Sequence, residues 1–256
     1  MMKVTFMGSG TSMGVPTIAC PCSVCASSDP KNKRTRPSLL LTIEGKNFLI
    51  DTATDFRQQA IRENLKRVDA VLYTHSHADH ILGLDDLRPF NYFQQMHIPC
   101  FGNEPSMNYI CNMFRYVFTE PQPGGSIPRI EPRIITGRFE FLGIEVQPLP
   151  VLHGKIAVNG YRIGDLSYIT DCSEIPEETY RLLEGTSVLV LGVLRYDPHP
   201  THLNVDKALR IIERVQPERA FFTHLSHDFD HERTNAELPA SVRLSFDGLA
   251  FEMAEP

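Results

Sequence analysis

The sequence has no apolar run long enough to cross a bilayer. Its most hydrophobic stretch, VLVLGVL at 188–194, falls far short of the roughly 20 residues a spanning helix needs. The start, MMKVTFMGSG, lacks a basic segment followed by an apolar one, so no secretion signal is read there. A cytoplasmic location with no membrane partner is expected. Positive charge is also scarce: 25 Lys and Arg stand against 31 Asp and Glu, a net charge of -6. That is the opposite of a basic surface that grips extended nucleic acid, and no such partner is expected. Long low-complexity segments are missing, and 42% of the 256 residues are hydrophobic. Both features favour one α/β domain over residues 1–256 with a large core. A dinucleotide site is excluded by spacing. The turn MGSGTSMGVP (7–16) follows an expected strand, but Gly8 and Gly10 are followed by Met13 and Gly14, so G-x-G-x-x-G is not met.

What is present is a chain of alternating β and α signals. Strands are predicted at 3–8, 38–45 and 47–51, the latter two joined by a tight Gly-Lys turn. A helix over 54–65 follows, with Thr54 or Asp55 as its cap, and then a buried strand at 69–75. Residues 104–118 read as a helix, and the Pro- and Gly-rich 119–133 as a loop that could form a substrate-facing flap. Strands are then expected at 138–143, 144–151, 156–164, 166–171 and 188–194. A helix at 205–215, with Asn204 as its cap, and a strand at 219–224 precede a closing hairpin turning at Asp247-Gly248. Two β-rich halves with helices imply two sheets sandwiched between helical layers.

The chemistry is concentrated in THSHADH, residues 74–80. His75 and His77 lie two apart on extended chain and can point the same way, while Asp79 and His80 fall on the first turn of a short helix. Four ligands in six residues are more than one tetrahedral ion easily takes from so short a segment, so two adjacent metals are expected. Further candidates end predicted strands: His153, Asp171 and His224. Solvated loop histidines are the plainer explanation for any one of these, but not for the set. Of the six cysteines, Cys20, Cys22 and Cys25 form CPCSVC, a spacing suited to three thiolates on one ion. Cys100, Cys111 and Cys172 are scattered and read as small buried apolar residues.

THSHADH resembles the HxHxDH signature of the metallo-β-lactamase fold, and Asp51, ending NFLID, resembles the aspartate that family carries on an early strand. The resemblance spans nearly the whole chain. It implies an α/β, αββα four-layer sandwich in which His75, His77 and His153 hold one metal, Asp79, His80 and His224 hold another, and Asp171 bridges them. The glycine-rich start resembles tRNase Z and, more closely, the PhnP-like cyclic phosphodiesterases, and CPCSVC, DHILGLDDLRPFN (79–91) and THLNVDKAL (201–209) resemble that second group.

That second likeness implies a small cyclic phosphodiester substrate, opened to a phosphomonoester by water activated between the two metals. Asp79 and His202 would be catalytic, His202 donating to the departing alkoxide. It also implies a separate structural zinc. With His224 in the catalytic pair, His227 is free to turn the other way, and it is assigned as fourth ligand beside Cys20, Cys22 and Cys25. The catalytic ions are expected to be Mn or Zn, with Fe also suited to the ligands, and a homodimer is compatible with such relatives. His199 is read as an exposed neighbour of His202, and His97 and His231 as surface residues. The rivals are a tRNase Z-like endonuclease, a thioester or lactone hydrolase, and a noncatalytic carrier resembling the pyrroloquinoline quinone biosynthesis member of this fold.

Overall fold

The computed structural model describes residues 1–119 and 126–255. Part of the expected flap, 120–125, lies outside the described residues. One sheet is built from β1 (Met2–Gly8), β2 (Ser38–Ile43), β3 (Lys46–Ile50), β4 (Ala70–Leu72), β5 (Ile98–Gly102) and β6 (Ile130–Ile134). The other comprises β7 (Phe139–Phe141), β8 (Ile144–His153), β9 (Ile156–Ile163), β10 (Leu166–Ile169), β11 (Val188–Arg195), β12 (Leu203–Asn204), β13 (Arg219–Thr223) and β14 (Val242–Leu244). A final strand, β15 (Ala250–Met253), returns to pair antiparallel with β1.

Side-chain alternation creates the layers. On β2, Leu39, Leu41 and Ile43 face the space between the sheets, where they share a core with Val146, Tyr161, Tyr168 and Val190. Leu40 points the other way, into a core with Phe56, Leu84, Phe90 and Ile110 from the covering helices. The helix Val205–Val215 presents Ala208, Ile211 and Ile212 to Leu189, Leu191 and Phe222 on the far side of the second sheet. The result is the expected four-layer αββα arrangement. Among the described residues no helix is long and apolar enough to cross a membrane.

Several local expectations are corrected. The β2–β3 turn is Glu44-Gly45, both at positive φ, and Lys46 already pairs with Ile43. The helix expected over 54–65 spans Phe56–Arg62: Asp55 sits at its N-cap position but turns its carboxylate to Arg36, and Asn64, at φ 52°, lies just past its end. The 104–118 helix stops at Met113 and continues as a 3-10 turn, Arg115–Phe118. The end of the loop expected over 119–133 is instead the start of β6, which pairs with β5 along Ile130–Ile134 at a sheet edge where Pro132 is tolerated. The closing hairpin does not form: β14 joins β13 in one sheet and β15 joins β1 in the other. The Asp247-Gly248 turn carries the chain between sheets, with Gly248 N donating to Phe6 O at 2.8 Å. His231 is buried, edge-on to Phe246, and is not a surface residue.

Candidate metal centre

The residues of THSHADH emerge where β4 runs out. The extension is gripped by the opposite sheet: Tyr161 Oη donates to Tyr73 O at 2.6 Å, and Asn159 N donates to Thr74 O at 3.0 Å. His77 ends the extended segment, and Ala78–Ile81 forms the short helix that carries Asp79 and His80. Asp171 follows β10, His153 ends β8 and His224 follows β13. Three site residues at strand ends, Asp51, Asp171 and His224, have φ of 62°, 45° and 58°. Nonglycine residues in this left-handed region are uncommon and strained, so the surrounding packing must hold them there. No sequence signal marks that strain.

Two donor sets form at this edge, within each of which the ligand atoms lie within 4.8 Å of one another. They are His75, His77, His153 and Asp171, and Asp79, His80, Asp171 and His224. Asp171 belongs to both, and its two oxygens divide between them. Oδ2 lies 3.6 Å from His75 Nε2 and 3.9 Å from His153 Nε2, whereas Oδ1 lies 3.4 Å from His80 Nε2 and 3.1 Å from His224 Nε2. Asp79 Oδ2 is 3.3 Å from His80 Nε2 and 3.6 Å from His224 Nε2. Ligands about 2.1 Å from a tetrahedral ion are separated by roughly 3.4 Å, so these spacings suit metal coordination.

The imidazoles are oriented from behind. His80 Nδ1 donates to Asp51 Oδ2 at 2.7 Å, and His153 Nδ1 donates to Thr201 O at 2.7 Å. His75 Nδ1 lies 3.0 Å from Thr74 Oγ1, whose hydroxyl donates to Asp51 Oδ2 at 2.7 Å. These bonds leave Nε2 of each ring as the lone-pair atom. Nε2 of His75, His80 and His224 and Oδ2 of Asp79 are buried with no hydrogen-bond partner among the described residues. Buried polar atoms converging without partners fit divalent ions at both sets. Gly154, at φ 62°, lets Thr201 approach: a Cβ there would meet Thr201 Cγ2 at 2.9 Å.

The protein's own charges polarise the cluster. Burial would raise the pKa of Asp171 and of Asp79. For Asp171 it is outweighed by His224 and His80, and for Asp79 by the His80 charge and His224, so both stay ionised below the usual carboxylate range. Burial would lower His80 and His224 too, but the surrounding aspartates raise them. His75 and His77 are lowered, chiefly by burial. Burial pushes Asp51 up against the opposing pull of His80 and Thr74.

His202 stands beside both sets, its ring 4.7 Å from that of His153 and stacked 5.0 Å from that of His224. Burial, against the attraction of Asp171, brings its pKa down to about 3, so the ring is neutral at pH 7. The free protein thus offers a neutral N–H at this position. His199 lies 5.1 Å from the His202 ring on the outer side. The contributions of Thr74 and of the Thr201 carbonyl are absent from the sequence reading, because a threonine hydroxyl and a backbone oxygen carry no motif.

A third donor set lies apart from this edge. Cys20 Sγ, Cys22 Sγ and Cys25 Sγ are 3.1, 3.4 and 3.6 Å from His227 Nδ1. The four atoms lie within 4.8 Å of one another. The Cys25 amide donates to Cys22 Sγ at 3.4 Å and chiefly accounts for lowering that thiol to about 6, while burial pushes Cys25 up to about 11. Three thiols and an imidazole at these separations fit tetrahedral zinc. Cys100 and Cys172 are buried as expected, and Cys111 is half-buried.

Known proteins resemble this chain over much of its length. Residues 46–225 match the β-lactamase superfamily domain. A crystal structure described as a new diphosphatase from the PhnP family is 42% identical, with a TM-score of 0.93, and the alignment covers 100% of this chain and 99% of that one. An octanoyltransferase of Porphyromonas gingivalis is 36% identical over 252 residues, 97% of this chain but 51% of that protein. A ribonuclease Z of Bradyrhizobium diazoefficiens is 32% identical over 89 residues, 34% of this chain and 24% of that protein. The chain thus spans about half the length, or less, of these curated relatives. The superfamily match and the donor sets support a metal-dependent hydrolase.

Proposed function

From the premise that this chain belongs to the β-lactamase superfamily, we propose that it is a dinuclear metal-dependent phosphodiesterase that hydrolyses a small, cyclic phosphodiester to a phosphomonoester. The observation that carries the reading is Asp171, whose Oδ1 and Oδ2 face different donor sets. Mn or Zn suits these nitrogen and oxygen ligands, and Fe is a further candidate. Two such ions supply Lewis acidity and bring the pKa of water towards about 7.

The chain's own residues do the rest. Asp171 ties the two sets together, and His75, His77 and His153 on one side and Asp79, His80 and His224 on the other fix their spacing. Asp51 keeps His80 and, through Thr74, His75 in the ligating tautomer. His202 offers its N–H to a phosphoryl oxygen, and the negative charge of the bound phosphodiester, one unit in the substrate and more as hydroxide adds to phosphorus, would favour its protonation and transfer of that proton to the departing alkoxide. Cys20, Cys22, Cys25 and His227 would hold a structural zinc that joins the two ends of the chain.

The close PhnP-family neighbour and the ribonuclease Z relative favour phosphorus as the target. A long RNA substrate has less support: the chain carries a net charge of -6, and Arg133 is engaged by Glu131 and by the rings of Phe101 and Phe141. A noncatalytic carrier role is disfavoured because every ligand of both donor sets is retained. One observation favours a second reading, hydrolysis of a thioester: the P. gingivalis relative is named an octanoyltransferase. Its remaining half offers a separate place for transfer chemistry.

The deciding experiment measures metal content and turnover together. Protein purified without chelator is assayed with bis(p-nitrophenyl) phosphate, a ribose cyclic phosphate, a linear diphosphate diester and an acyl thioester, each with added Mn²⁺ or Zn²⁺. Near three metals per chain with preference for the cyclic phosphate supports the proposal. Preference for the thioester refutes it.

A further inference from the structure

Arg34 is among the largest side chains wholly removed from solvent. Each hydrogen bond of its guanidinium goes to an uncharged acceptor: Ser226 O at 3.2 Å, Phe229 O at 2.8 Å and Asn32 Oδ1 at 3.1 Å. Among the described residues a carboxylate enters only at one remove, where Asn32 Nδ2 donates to Asp230 Oδ2 at 3.0 Å. Burial lowers the Arg34 pKa to about 10, which leaves it a cation at neutral pH. An interior cation without a direct counterion is costly, and the phosphodiesterase mechanism makes no use of it.

We infer that Arg34 is the positioning residue of the cysteine cage, setting His227 against the three thiols by holding both ends of the loop that carries it. This rests on reading Cys20, Cys22, Cys25 and His227 as a zinc site. The backbone of Arg34 fixes the cysteine side: its N donates to Val15 O at 2.7 Å, and its O accepts from Val15 N at 2.9 Å, just before the chain runs on to Cys20. Neighbouring Lys33 Nζ donates to Cys25 O at 3.0 Å. The side chain fixes the histidine side, because Ser226 and Phe229 flank His227. A Cβ on Gly10 would lie 2.8 Å from Arg34 O, so the loop can press this close only as glycine.

The two halves of the cage, some 200 positions apart in the chain, are thus bridged by the Arg34 side chain, with the Asn32 contacts to Asp230 and His231 beside it. His224 is anchored separately. It follows β13, and the next residue, Leu225, bonds through its N to Ser9 O at 2.9 Å and through its O to Thr11 N at 3.1 Å. Loss of Arg34 should therefore weaken the cage and spare the metal pair.

Cobalt(II) alone, added to the chelated full chain, distinguishes the two places. Only the cage contains sulfur, so only the cage gives a thiolate-to-cobalt charge-transfer band. Zinc competition against that band gives the cage affinity for the unaltered chain, Arg34→Gln, Arg34→Lys, His227→Ala and the Arg34→Gln/His227→Ala double variant. Arg34→Gln should weaken zinc binding by roughly 10- to 100-fold. Arg34→Lys, which can still donate to one carbonyl, should weaken it less. The double variant should bind no more weakly than His227→Ala, because Arg34 acts through His227.

Unchanged affinity in Arg34→Gln with a lowered melting temperature would reduce the residue to general structural support. Losses that add in the double variant would also overturn the inference. If Arg34→Gln fails to fold, unaltered affinity in Arg34→Lys overturns it. Absence of a sulfur band in the unaltered chain would instead remove the zinc reading of the cage, and the inference with it, without touching the metal pair.

Discussion

His153 is steered by the residue next to His202: its Nδ1 donates to the carbonyl of Thr201 at 2.7 Å. The link runs through backbone, so it survives replacement of the His202 side chain. His202→Ala should therefore lower phosphodiester turnover about 100-fold or more while leaving the metal content unchanged. Elemental analysis beside steady-state kinetics checks this. Loss of a metal with the activity would move His202 into the ligand set.

Asp51 serves two imidazoles at once, His80 directly and His75 through Thr74. An asparagine cannot accept from all of these donors. Asp51→Asn should weaken binding at the metal pair by roughly 10- to 100-fold and leave the cysteine cage loaded. Zinc titration in a metal buffer reads both, and full retention of the pair would refute the orienting role.

These two residues illustrate what the sequence discloses. Ligands at strand ends are legible because a run of apolar residues stops and a histidine or aspartate follows, as at His224 after RAFFT. His227 is legible by its distance of three residues from His224. The flanking supports are not: Thr201 acts through its carbonyl, and Arg34 looks like any surface arginine until the loops at 15 and 226–229 close over it. The Asp247-Gly248 dipeptide suits a tight turn between strands, and for that reason the sequence predicts a hairpin that does not form. Nothing local reveals that Asp247 is claimed by Ser9 and Thr35 and that the next strand belongs to the other sheet.

Chelated protein should show a stability maximum near pH 6.5. His80 and His224 have raised pKa values, so their contribution is complete below the unfolded value of about 6.5 and is lost as pH rises through the folded ones. His75, His77 and His202 are lowered, so the unfolded chain takes up their protons first and stability falls as pH drops below about 6.5. With metal bound, the alkaline loss should disappear, since the ligands must then be neutral imidazoles. Urea midpoints at three pH values, with and without chelator, test this, and a chelated protein that grows steadily more stable towards pH 9 would contradict it.

Asp247 accepts from Ser9 N at 2.9 Å, Ser9 Oγ at 2.8 Å, Thr35 N at 2.8 Å and Thr35 Oγ1 at 2.6 Å. Removing the carboxylate strands several donors. Asp247→Ala should cost about 2–4 kcal/mol, read from the shift in the denaturation midpoint. A cost within about 0.5 kcal/mol, the range of an ordinary surface change, would show that water replaces the carboxylate there.

The pairing of β15 with β1 joins residues near 250 to residues near 2. During synthesis on a ribosome, the strand that emerges early must wait for one made much later before both its edges are covered. Val4 and Phe6, buried in the finished protein, would meanwhile sit on a strand with one open edge. Such long-separation pairing slows folding and leaves sticky surface exposed in the interval. A truncation that stops after the metal ligands would keep every catalytic group and still leave that edge open, a setting for self-association instead of catalysis.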